Sequence, residues 1–259
     1  MPSCFLRLPT LPDKPRATAI THVIDPGLGL RDTLAKVESR GEFIDMWKFG
    51  WGTAYIEPRL ADKVALLREH DIVPCLGGTL LEIAFAQDAV EECLAWALRS
   101  GITAVEVSRG TVPMSVESKQ SLIRRASREF TVLAETGFKD ADRALTAEEW
   151  SSEIAGDLAA GASFAVAEGR ESGTVGLYDG CGRPLVEVVE AVVAAAGQDR
   201  AIFEAPTKAQ QVWFINRFGP EVNLGNVAAT DVLGLATLRR GLRSDTLGLS
   251  VLELMATGT

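Results

Sequence analysis

Histidine is nearly missing from this chain of 259 residues, which has only His22 and His70. A Ser-His-Asp triad or a histidine-based metal site therefore has little to build on, and no G-x-S-x-G nucleophile elbow is present. His22 falls inside the first strand-like run and His70 at a helix end in "LREHDI", and both read as structural. The four cysteines, Cys4, Cys75, Cys93 and Cys181, are scattered with no C-x-x-C pair. That spacing excludes a zinc ribbon or a disulfide framework, and reduced thiols in a cytoplasm are expected. No apolar run approaches the roughly 20 residues of a membrane helix. The greasiest segment, "VVEAVVAAAG", carries a glutamate and suits a helix buried on one face. Basic residues are also in deficit, with 26 Lys and Arg against 35 Asp and Glu, a net charge of −9. General nucleic-acid binding needs a basic face and is excluded. A small anionic substrate is not, because a few local cations or a metal outweigh the mean charge. The start, "MPSCFLRLPTLPDKPR", lacks the apolar core of a signal peptide. Residues 1–18 are read as a proline-rich leader. "DPGLGLRD" and "FGWGTA" lack the third glycine of a dinucleotide fingerprint, so a Rossmann site is rejected.

What the chain does have is alternation, and at 47% hydrophobic it has enough apolar surface for a large core. Short β-branched runs occur at "THVID", "FIDMWKFG", "DIVPCLGG", "TAVEVSRG", "FTVLAETG", "SFAVAEGR", "AIFEAP" and "VNLGNVA". Between them, stretches such as "EPRLADKVALLREH", "AVEECLAWALRS", "SKQSLIRRASRE" and "AEEWSSEIAGDLAAG" show helical apolar spacing. Eight such runs fit a (β/α)8 TIM barrel of about 250 residues, a single domain over 19–259. A doubly wound open sheet uses the same alternation. The barrel is preferred because one more helix follows the eighth run and no linker divides the chain.

In a barrel the active site lies where strands end and βα loops begin. The residues expected there are Asp25, Lys48, Gly77, Gly78, Thr79, Glu106, Ser108, Glu135, Glu168, Glu204, Asn223 and Asn226. Four glutamates on four consecutive strands stand out. Neighbouring strands are about 4.8 Å apart, so the carboxylates would raise one another's pKa values. A hard cation such as Mg²⁺ would relieve this, which makes Glu106, Glu135, Glu168 and Glu204 the candidate metal ligands. The alternative is that each pairs with a cation such as Arg170, Lys139 or Lys208. In "EGRESG", Arg170 and Ser172 between glycines could cradle a phosphate. "LRRGLRSDT" offers Arg239, Arg240 and Arg243 near the last loops, although arginines at helix ends commonly complement the dipole. With histidine scarce, lysine and glutamate remain as proton-handling groups.

Taken in order, "KFGWGT", "GGTLLE", "EGRESG", "FEAPTKAQQ", "VNLGNVA" and "LRRGLRSDTLG" resemble the phosphosulfolactate synthase family, from about Thr21 to Gly248. The resemblance implies a (β/α)8 lyase of sulfonate biosynthesis that adds sulfite to phosphoenolpyruvate with Mg²⁺. Carboxylates would hold the metal, Lys139 or Lys48 would protonate C2, and Arg170, Ser172, Asn223, Arg109 and Arg239 would bind substrate. The chain departs from the family pattern at three strand ends. Asp25-Pro26-Gly27 replaces Asp-Lys-Gly, Arg109 in "VEVSRGT" replaces an acid, and Phe138-Lys139 replaces paired lysines. Two further readings follow: a different nucleophile added to an enolpyruvate-type phosphate, or a non-catalytic stress-associated barrel. The expected partner is a small anion, with neither nucleic acid nor membrane, and a homo-oligomer is compatible with the sequence.

Overall fold

Each strand-like run alternates its side chains between two environments, and that alternation builds the molecule. The computed structural model describes residues 5–138, 144–170 and 172–250. Eight parallel strands close in chain order: β1 Thr21–Asp25, β2 Met46–Phe49, β3 Val73–Leu76, β4 Ala104–Val107, β5 Thr131–Thr136, β6 Phe164–Ala167, β7 Ala201–Glu204 and β8 Asn223–Ala228. The helices that cover them are α1 Leu30–Arg40, α2 Thr53–Ile56, α3 Leu60–Glu69, α4 Gly78–Ala86, α5 Val90–Arg99, α6 Val116–Ala126, α7 Ala147–Ala159, α8 Val186–Ala196, α9 Lys208–Phe218 and α10 Val232–Arg239. Strand β1 pairs with both β2 and β8, so the sheet is closed and the open doubly wound alternative is excluded. This is a single-domain (β/α)8 TIM barrel.

Successive strand residues face opposite ways. Trp47, Phe49, Val105, Val107, Val132, Ala134, Ala165, Ala167 and Phe203 face outward into the main core beneath the helices. Met46, Cys75, Ala104, Leu133, Val166 and Ile202 face inward and form a separate apolar plug with Ile20. Two residues further along β2, β4, β5, β6 and β7, on the same inner face, stand Lys48, Glu106, Glu135, Glu168 and Glu204. The plug seals one end of the barrel, and a polar layer rests on it.

The plugged end is closed by side chains that the sequence reading placed at the mouth. Asn223 opens β8 rather than ending it. Its amide donates to the carbonyls of Asp199 (2.9 Å) and Ala201 (3.1 Å) and accepts from Ile20 N (3.0 Å). Arg239 ends α10 and donates to the carbonyls of Pro220, of Val222 (2.7 Å) and of Ile20 (3.2 Å). Burial lowers its pKa to about 10. Both residues stitch β8 to the start of β1 at the end opposite the mouth, and neither is positioned to bind substrate. On the same side Arg16 pairs with Asp45 at 3.1 Å, and Lys14 reaches the carbonyl of Gly41 at 3.0 Å. These contacts fasten the chain ahead of β1 to the base of β2.

Candidate active site

At the open end the inner face becomes a cavity of about 260 Å³ lined by residues from all eight strands or the loops that follow them. Lys48 stands at its centre, only 4% exposed. Its ammonium donates to Glu106 Oε1 at 2.9 Å and Glu204 Oε1 at 3.0 Å. Glu135 completes a buried triad with those two, with one oxygen from each lying within 4.8 Å of the others. Burial pulls the Lys48 pKa down, but Glu106, Glu204 and Glu135 outweigh it and hold it well above the ordinary value. The lysine is therefore charged at neutral pH. Burial, with Glu135 and Glu204 adding to it and Lys48 opposing it, pushes Glu106 up to about 7. Below this layer His22 is fully buried and neutral, kept so by burial and by the Lys48 charge.

The loops are tied to the carboxylates by backbone donors. Gly78 N, at the start of α4, donates to Glu106 Oε2 at 3.2 Å. Gly169 N and Arg170 N donate to Glu204 Oε2 at 2.9 and 3.1 Å, and Arg170 N also reaches Glu168 Oε1 at 2.6 Å. Close approach explains the glycine at 169, where a Cβ would meet Tyr178 Cε2 at 2.6 Å and the Glu204 carbonyl at 2.9 Å. Glu82 of α4 plays the matching part for the β4–α6 loop. Buried to 1% exposure, it accepts from Ser108 Oγ (2.5 Å), Gly110 N (3.2 Å), Thr111 N (2.7 Å) and Val112 N (2.9 Å). Thr111 in that loop lines the cavity. After β2 the chain turns through Trp51 and Gly52, with φ of +52° and +72°, and this turn carries Trp51 to the cavity rim.

Of the residues expected from sequence, Lys48, Glu106, Glu135, Glu168, Glu204, Arg170, Gly77, Gly78, Thr79 and Asn226 are brought together around the cavity. Others are placed elsewhere. Asp25 faces the helix layer, where Lys63 Nζ (2.7 Å) and Trp47 Nε1 (3.0 Å) donate to Oδ2, and Gly27 N (2.8 Å) and Leu28 N (2.7 Å) donate to Oδ1. Ser172 is exposed and shares a 2.9 Å hydrogen bond with Thr174, away from the cavity lining. Arg109 pairs with Glu153 at 2.5 Å and stacks its guanidinium 4.8 Å from the Phe138 ring centre, also outside the lining. Lys208 pairs with Asp245 at 2.8 Å rather than with a strand-end glutamate. Lys139 lies outside the described residues. Sequence reasoning missed Glu82 as the loop anchor. Its signal was a lone charge in the nine-residue apolar helix "GTLLEIAFA".

Three buried carboxylates within reach of one another are a donor set for a hard, oxygen-seeking cation. The ammonium of Lys48 already neutralises part of their charge, so the site fits a divalent ion sharing Glu106, Glu135 and Glu204 with that lysine. A closed (β/α)8 barrel with such a lysine-centred carboxylate cavity at its loop end is the framework of a barrel enzyme acting on a small polar substrate. Residues 9–245 match the family of (2R)-phospho-3-sulfolactate synthase (ComA). Phosphosulfolactate synthase of Bacillus subtilis (strain 168) is 40% identical over 93% of this chain and 97% of its own. That of Methanothermobacter thermautotrophicus is 42% identical over 91% of this chain and 93% of its own. The chain belongs to the phosphosulfolactate synthase family. Its fold is also similar to 3-hexulose-6-phosphate synthase from Salmonella typhimurium, with a TM-score of 0.55 at 14% identity, covering 90% of this chain and 98% of that one.

Proposed function

We propose that this enzyme adds sulfite to phosphoenolpyruvate to give (2R)-phospho-3-sulfolactate, with Mg²⁺ as its cofactor. The observation that carries the reading is the buried cation among carboxylates. Lys48 is held at 2.9 and 3.0 Å between Glu106 and Glu204, beside Glu135, in the cavity at the loop end. The sulfur lone pair of sulfite attacks C3, the C2–C3 π pair moves to C2, and C2 takes a proton. Lys48 is the donor: its ammonium lies in the cavity, and its carboxylate partners keep it charged until a strong base forms beside it. A proton from bulk water restores it. Bound to Glu106, Glu135 and Glu204, Mg²⁺ would offset their charge and draw off the negative charge that develops on the substrate carboxylate. The backbone bonds from Gly78, Gly169 and Arg170 fix Glu106 and Glu204, so the charged layer needs no rearrangement as the reaction proceeds.

The departures from the family pattern, which favour a different nucleophile, lie away from the cavity lining and leave its residues unchanged. Arg109 and Phe138 meet each other, Pro26 is exposed, and none of the three lines the cavity. Phosphorus NMR of the purified protein with phosphoenolpyruvate and Mg²⁺, with and without sulfite, tests the proposal. A new phosphate-ester resonance that depends on sulfite is expected. An unchanged spectrum would overturn the reaction, and separate calorimetric binding of phosphoenolpyruvate would then point to a different co-substrate.

A further inference from the structure

Strand β8 breaks its own alternation at one point. Leu224 pairs with Thr21 and Val227 with Val23, so three steps along β8 match two along β1. Leu224 and Val227 both face outward into the main core. The extra residue of this bulge is accommodated inside, between Gly225 and Asn226. Asn226 has a left-handed backbone, φ +51°. Its side chain is 5% exposed and lines the cavity with Lys48 and Glu204. Among the described residues, neither Oδ1 nor the donor Nδ2 of its amide has a hydrogen-bond partner.

A bulge, a left-handed non-glycine residue and an unbonded buried amide oxygen each oppose folding. All three fall on one residue, and together they turn one amide into the cavity. We infer that Asn226 is a substrate-binding residue whose amide hydrogen-bonds an oxygen of the anionic substrate. The inference rests on the proposed function for the identity of that substrate. The cavity is two-sided, which supports the ligand class. Strands β4 to β7 contribute carboxylates, and Lys48 is already engaged by two of them. On the other side Ile24, Gly50 and Asn226 are neutral. An anion held over the triad presents its remaining oxygens to that neutral side, where an amide N–H is a donor that carries no charge. A carboxylate in the same place would repel it.

Two variants separate ligand binding from folding. Asn226→Gly keeps the left-handed backbone and removes the unbonded amide; Asn226→Asp keeps the shape and adds a negative charge. In calorimetry with phosphoenolpyruvate and Mg²⁺, both are expected to bind at least ten-fold more weakly than wild type. In thermal melts without ligand, Asn226→Gly is expected to unfold at a higher temperature than wild type. Binding within two-fold of wild type in Asn226→Gly would overturn the inference. So would a lower melting midpoint in that variant, which would mark the amide as structural. If wild type itself fails to bind phosphoenolpyruvate, the proposed function falls. A lower melting midpoint in Asn226→Gly would then still remove the ligand role.

Discussion

Glu106 shows what a single residue contributes to the pH behaviour of the barrel. Its folded pKa of about 7 stands above the ordinary 4.5, so the folded state binds this proton more tightly than the unfolded chain does. The stabilisation from that proton is full below about 4.5 and is lost as the pH rises through about 7. Lys48 is shifted upward too, so its contribution persists through neutrality and is lost only in strong alkali. The slope between pH 5 and 7.5 therefore belongs to Glu106 rather than to its partner. Buried His22 adds an opposite slope in both proteins, so from pH 5 to pH 7.5 the melting midpoint of Glu106→Gln should change more positively than that of wild type. Equal slopes in the two proteins would remove Glu106 as the group responsible. The position of Glu106 was legible in the sequence because an apolar residue stands two places before it, as Leu133 does before Glu135 and Ile202 before Glu204. Asn226 stands at the mouth as expected, but alternation does not supply the reason. Strict alternation in "VNLGNVA" puts Asn223 and Gly225 on one face and Asn226 on the other. Only the bulge against β1, a property of the closed sheet, turns Asn226 inward.

Elements carry direction, and direction explains which expected residues fell at the wrong end. A helix in this barrel starts near the mouth and runs back toward the base. Arg239, the last residue of α10, is thereby delivered to the plugged end, where it bonds Val222 and Ile20. Asn223 fails as a mouth residue for the parallel reason that it opens its strand. The direction of each strand and helix would have sorted both, whereas composition and spacing alone did not. Glu82 shows the opposite case, a residue near the mouth end of α4 that no loop motif advertises. Its four accepted hydrogen bonds join α4 to the β4–α6 loop. In Glu82→Gln the amide nitrogen would face donors, leaving at least one buried partner unsatisfied at a cost of about 2 kcal/mol. A lower melting midpoint is expected. Hydrogen exchange should accelerate at Gly110, Thr111 and Val112 while amides in α8 are unchanged. Uniform acceleration across the barrel would mean that Glu82 supports the whole fold rather than this loop.

For the whole molecule, the order of strands around the barrel matters more than the total charge. A net charge of −9 looks unsuited to an anionic substrate. Yet the carboxylates that face inward come from four consecutive strands, β4 to β7, and concentrate negative charge on one wall. Against that wall the structure sets Lys48 between Glu106 and Glu204, with Glu135 close enough to share a cation with them. Clustered like charges destabilise the fold, so a divalent cation that relieves them should stabilise it by mass action. At about one hundred times its dissociation constant a ligand adds about 2.7 kcal/mol. Mg²⁺ should therefore raise the melting midpoint of the wild-type protein in a concentration-dependent way. It should have no such effect on a Glu135→Gln/Glu204→Gln double variant, which leaves Lys48 paired with Glu106 and removes the divalent donor set. A matching rise in both proteins would place the metal elsewhere on the surface. No rise in wild type would remove Mg²⁺ from this site.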